Sequence, residues 1–160
     1  MKSTFALLLL SSLVFSCSKT SDEIYTYTFQ ENAQLIIEEN YDGSYMKYSS
    51  VVDGNNLVFT YEFQAEDEKD IADDEYSEVI RFEIQPDLNE FEYSTTDLEA
   101  IKAVYSENCF CFFGDDNKNT SPKGTIKGKK ISDTEWDITI DVVFYSDDAK
   151  NISNIFRLQE

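Results

Sequence analysis

The chain has 160 residues, with 32 Asp and Glu against 13 Lys and Arg, a formal net charge of -19, and no histidine. Such a charge repels phosphate backbones and argues against nucleic acid as a partner, while the lack of histidine excludes histidine-based nucleophile triads and histidine metal centres. The 12 Phe and 10 Tyr fall in strand-like segments, which argues against global disorder.

At the amino end, Lys2 precedes a mostly apolar stretch, Phe5 to Phe15, too short for an ordinary membrane span, followed by small Ser16 and then Cys17. Val14, Phe15, Ser16 and Cys17 resemble the lipobox of bacterial lipoproteins, with Phe15 bulkier than the residue usual at its place. The resemblance covers the leader alone. It implies a signal peptide over residues 1–16, a diacylglyceryl group and an acylated amino terminus on Cys17, a flexible tether over 17–23, and one domain over 24–160. Ser18 stands where an inner-membrane retention Asp would be, and Lys19, Asp22 and Glu23 are loosely similar to the export signal of Bacteroidota surface lipoproteins. The expected location is therefore the bacterial outer membrane, held by lipid, on either its periplasmic or its surface side. Two or more acyl chains suffice for stable anchoring where one does not.

After the tether, IYTYTF puts Tyr25, Tyr27 and Phe29 on one face of a strand. Ala33 to Glu39 reads as a second strand, Asp42-Gly43 as a turn into Ser44 to Val52, and Asp53-Gly54 as a further hairpin turn before NNLVFTYEF. Ile80, Phe82 and Ile84 repeat the alternation, which Pro86 and Asn89 end. Between them lies an acidic insertion, Ala65 to Ser77, in which Asp70, Asp73, Asp74 and Glu75 are candidate ligands for weak calcium binding, although their order does not match the calcium-binding loop. Asp115 and Asp116 form a second such candidate. A solvated loop is the simpler account of both, and the chain is expected to require no cofactor.

Thr96 and Glu99 have the spacing of a capping box, and with Leu98, Ile101 and Tyr105 they predict one short helix. The following CFCFF reads as a strand buried on both faces. Export permits a Cys109–Cys111 disulfide, but residues two apart in a regular strand sit near the upper distance limit, so a bulge would be needed; buried thiols are the alternative. Zinc is disfavoured, since CxC alone lacks the ligands of a closed site.

Lys123 to Ile131 and Ile152 to Leu158 read as strands flanking the strongest alternation in the chain, TEWDITIDVVFY. There Trp136, Ile138, Ile140, Val142 and Phe144 line one face as expected core, although Trp136 could instead serve as a sugar-stacking platform. About nine strands and one helix predict an all-β antiparallel two-sheet sandwich, with a closed lipocalin-like barrel as the alternative. No phosphate loop, zinc-protease motif or nucleophile elbow is present. Paired carboxylates could serve glycoside chemistry, but their abundance singles out no pair, and no catalytic residue is assigned. The expected function is that of a non-enzymatic envelope lipoprotein that binds a protein or is an accessory to an outer-membrane protein assembly. The alternative is a carbohydrate or small hydrophobic ligand, for which exposed rings among Tyr41, Tyr45, Tyr48, Tyr61 and Trp136 would speak. A surface antigen or spacer is a third reading.

Overall fold

A period of two runs through most of the chain, and strands follow from it. The computed structural model describes residues 23–39, 47–66, 75–110, 121–144 and 149–159. Its strands are β1 (Ile24–Glu39), β2 (Lys47–Asp53), β3 (Asn56–Gln64), β4 (Ser77–Ile84), β5 (Glu90–Ser94), β6 (Val104–Asn108), β7 (Lys123–Ser132), β8 (Glu135–Val143) and β9 (Ala149–Leu158). All belong to one sheet, ordered β5-β7-β8-β9-β1-β3-β4-β6, with β2 also paired to β1. Every pairing is antiparallel except a short contact in which Thr28 and Phe29 run parallel to Arg157 and Leu158.

The expected two-sheet sandwich is thereby overturned. The single sheet curls until its concave face packs on itself: Phe82 of β4 and Phe91 of β5 lie near opposite ends of the strand order, yet their ring centroids are 6.1 Å apart. Phe59 of β3 stands edge-on to Trp136 of β8 at 5.6 Å. A twisted sheet with one apolar face can cover that face by curling as well as by acquiring a second sheet, and alternation reads the same in both cases. The edge strands β5 and β6 do not pair with each other, so the curl stops at a half-barrel short of the closed alternative. Trp136, Ile138, Ile140, Val142 and Phe144 are each at most 1% exposed, and Phe29, Phe59, Phe82 and Phe156 share this core with them. Gly128 keeps the concave face open to Phe91, because a Cβ there would meet that ring at 2.6 Å.

No helix occurs among the described residues. The expected one, from Thr96 onward, is a single turn. The Ile101 amide bonds Asp97 O, that of Lys102 bonds Glu99 O and that of Ala103 bonds Leu98 O, and Lys102 adopts a left-handed φ of 51° that stops further winding. Nucleating a helix for one turn is unfavourable, and neighbours take the backbone groups instead. Thr95 donates to Gly124 O of β7, and Ile101 O accepts from Glu83 of β4. The segment thus crosses the gap between the two sheet edges, with Leu98 and Ile101 buried in it. The Glu99 carboxylate accepts from Ser121. Tyr105 belongs to β6 instead of a helix. The expected CFCFF strand also fails at its start: Cys109 and Phe110 form a bend after β6, with Phe110 88% exposed, and Cys111 to Phe113 lie outside the described residues.

The two strands expected at the start are one long arm, and Asp53-Gly54 is no hairpin turn. β2 and β3 run on in the same direction along β1, and Ala33 faces both Asp53 and Asn56. At the irregularity Asn32 has a φ of 52° and its carbonyl accepts from Gly54, where a Cβ would meet Gln34 Cβ at 2.6 Å and the Ala33 backbone at 2.8 Å. Glycine is required there by close approach of two strands. The bend brings the far half of the arm over the outer side of β3, β4 and β6, where Ala33, Leu35 and Val58 make a small second core. Arg81 Nη1 donates to Ser49 O at 2.6 Å and Ser106 to Lys47 O at 2.6 Å. Glu83 accepts from the Leu35 amide at 2.6 Å, while Lys102 bonds both Glu83 at 2.9 Å and Leu35 O at 2.8 Å. The backbone edge of the arm at Leu35 is thus capped by an ion pair.

Candidate functional site

Strand register sorts the concave side chains of β1, β3, β4 and β6 into rows. Phe29, Phe59 and Phe82 form a row deep in the core, and Tyr27, Tyr61, Ile80 and Tyr105 form the next. The last row is Tyr25, Phe63, Glu78 and Glu107, at the end where β1 and β4 begin and β3 and β6 finish. Exposure rises along this series: the first row is fully buried, Tyr27 is half-buried, and Tyr25 is 49% exposed. This end is the mouth of the half-barrel. β9 pairs with β1 at Thr28 and Phe29, and its Phe156 meets the Tyr27 ring edge-on at 5.5 Å.

Aromatic rings pave one side of the mouth. Tyr25 and Phe63 lie 4.9 Å apart by centroid, Tyr27 and Tyr61 5.5 Å, and Phe63 and Tyr76 6.2 Å in edge contact. Carboxylates stand beside them. Glu78 accepts from the Tyr76 hydroxyl at 2.6 Å and pairs with Lys150 of β9 at 2.8 Å. Glu107 accepts from Tyr105 at 2.5 Å, and Glu23 from Tyr25 at 3.0 Å. The Lys150 ammonium also sits over the Tyr105 ring, 4.6 Å from its centroid.

These surroundings keep the phenols neutral. Burial first and the Glu78 charge second push Tyr61 up to about 12. Tyr76 and Tyr105 are raised further, by burial and then by the hydrogen bonds they donate to Glu78 and Glu107; a hydrogen bond with Tyr105 partly offsets the rise at Tyr76. Tyr25, at the exposed rim, is raised chiefly by its bond to Glu23. Neutral phenols remain donors at physiological pH, so the mouth joins partly exposed ring faces to carboxylates already oriented by hydrogen bonds.

Two other concavities are less organised. One of about 570 Å3 lies on the convex face of β5, β7 and β8, lined by Glu90, Glu92, Lys127, Lys129, Asp137 and Thr139. There Lys129 stands between Glu90 and Asp137 and Lys127 beside Glu92, the cross-strand pairing of a solvated face. Another, of about 410 Å3, lies at the bend of the arm around Asn32 and Asp53.

Of the residues singled out from sequence, Cys17, Tyr41, Tyr45, Asp70, Asp73, Asp74, Cys111, Asp115 and Asp116 lie outside the described residues, and Glu75 is exposed. Among the described residues no three His, Cys, Asp or Glu side chains converge as metal ligands. Cys109 is disulfide-bonded, to a partner outside the described residues. Trp136 and Tyr61 are buried and offer no stacking face, and Tyr48 packs against the core. The Trp136 indole N–H finds no acceptor among the described residues. Sequence reading missed the mouth, yet a signal was present: Glu23/Tyr25, Tyr76/Glu78 and Tyr105/Glu107 each stand two residues apart, the spacing that puts a phenol and a carboxylate on one strand face. Compared with known proteins, the chain matches no family model, no curated protein and no solved structure.

Proposed function

We propose that this is a non-enzymatic, ligand-binding lipoprotein of the cell envelope, and that the ligand, a carbohydrate or another small molecule, docks in the mouth of the half-barrel. The observation that supports it is the gradient along the concave face. The same alternating aromatics that seal the core continue to the mouth, where Tyr25, Tyr27, Phe63 and Tyr76 stay partly exposed beside Glu78 and Glu107. Partly exposed rings, joined to fixed polar groups in the mouth of a barrel-like sheet, are the ordinary makings of a small-ligand site. The carboxylates are engaged by phenols and by Lys150, which suits holding a ligand better than proton transfer.

Anchoring through acylated Cys17 at the outer membrane is part of the same reading. β1 begins at Ile24, on the rim of the mouth. The test is a screen of saccharides, amines and short-chain lipids against the full-length protein, read by side-chain nuclear magnetic resonance. Hits that shift the Tyr25, Tyr27, Phe63 and Tyr76 ring signals while leaving Trp136 unmoved support the reading. Hits that map only to the convex groove around Lys127 and Lys129 refute it.

A further inference from the structure

We propose that the mouth is a site for an organic ammonium group, and that Lys150 is an internal cation occupying part of it; this rests on the mouth being the ligand site. Its ammonium lies 2.8 Å from Glu78 and 4.6 Å from the centre of the Tyr105 ring, the two kinds of contact that an alkylammonium ligand seeks. Further surfaces of the same kinds continue outward from it toward solvent. Glu107 is held by the neutral hydroxyl of Tyr105, and Glu23 by that of Tyr25. Tyr25, Tyr27, Phe63 and Tyr76 present ring surface beside them. A neutral sugar would find stacking faces here, but its hydroxyls would compete with phenols for carboxylates already engaged. An ammonium gains from charge and ring together, and the net charge of -19 raises the local concentration of cations.

Two sources could present this chemistry: a free amine, or the amine-bearing headgroup of a lipid. Choline and ethanolamine, with maltotriose as a neutral control, are titrated into the full-length protein and followed by ring resonances. A parallel arm uses vesicles of phosphatidylethanolamine or phosphatidylcholine against vesicles of phosphatidylglycerol. Saturable shifts at Tyr25, Phe63 and Tyr76 with free amine indicate a soluble ligand, and shifts only with the amine-bearing vesicles indicate a headgroup; both support the proposal.

Glu78→Gln should weaken amine binding about ten-fold or more by removing the charged partner. Lys150→Met should tighten it several-fold, and Lys150→Arg, which keeps the internal cation, should not. Should Lys150→Met fold poorly, the wild-type titration and Lys150→Arg still decide. Shifts with maltotriose and none with amines would overturn the ammonium assignment and leave the ligand site standing. No shift at the mouth with any probe would overturn both.

Discussion

Replacing Glu83 with Ala tests the way the bent arm is fastened to the sheet. Glu83 is 8% exposed, and its two oxygens serve different partners, the Leu35 amide at 2.6 Å and Lys102 at 2.9 Å. The substitution strands the Leu35 amide beneath the arm, and an unpaired buried donor costs about 1–3 kcal/mol. It also removes the ion pair of Lys102, which keeps its bond to Leu35 O and whose side chain is 37% exposed, so solvent screening holds that loss to about 1 kcal/mol or less. The expected destabilisation is therefore about 1–4 kcal/mol, read by urea unfolding with an unchanged m-value. Glu83→Gln keeps an acceptor for Leu35 and should lose only about 1 kcal/mol. Hydrogen exchange gives the local readout, since the Leu35 amide should lose protection in Glu83→Ala and retain most of it in Glu83→Gln. A Glu83→Ala protein within about 0.5 kcal/mol of wild type, with Leu35 still protected, would refute the reasoning and leave Ala33, Leu35 and Val58 as sufficient to hold the arm.

Trp136→Ala should cost about 3–5 kcal/mol in urea unfolding, because it empties the centre of the concave core against Phe59 and Phe91. Trp136→Phe keeps a ring there and removes an indole N–H without an acceptor among the described residues, so its cost should stay below about 1.5 kcal/mol; equal losses for the two would contradict this packing. Alkaline titration of tyrosinate absorbance should be biphasic. Folding raises Tyr61 from 10 to about 12 and raises Tyr76 and Tyr105 further, so stability from these neutral phenols is fully present below pH 10; the Tyr61 share is lost as pH rises through about 12 and the others at still higher pH. The last tyrosines should ionise together with unfolding, and one transition near pH 10 with the fold intact would contradict their burial.

Strand faces were legible in the sequence because period two survives any arrangement of sheets. Trp136 through Phe144 share a face in the structure for the same reason that they share one in the sequence. What the strands pack against was not legible. Asp53-Gly54 has the composition of a hairpin turn, but its glycine is demanded by the approach of Gln34 across a bulge, and local sequence does not separate those two demands. Thr96 and Glu99 have a capping box's spacing, yet the backbone there bonds to Gly124 and Glu83, strands distant in sequence. Phe91 and Tyr93 alternate inward in β5, a strand too short for its pattern to stand out.

The candidate site was hidden for a related reason. Tyr25, Tyr27 and Phe63 occupy the positions that their alternation assigns to a core, and they do face it; what distinguishes them from Phe29 and Phe59 is the row they occupy, set by strand register. One pattern thus produces a sealed interior where the curled sheet covers it and a ring-lined mouth where the cover ends. The difference shows in the partners. The deep row contains no ionisable side chain, while at the mouth tyrosines find carboxylates two residues away on their own strands. A partly buried carboxylate beside apolar rings is costly unless it is paired, and Glu78 is paired with Tyr76 and Lys150 together. An aromatic strand that continues into tyrosine and glutamate at i, i+2 spacing therefore marks, in this chain, where the sheet stops being sealed core and where the proposed ligand site begins.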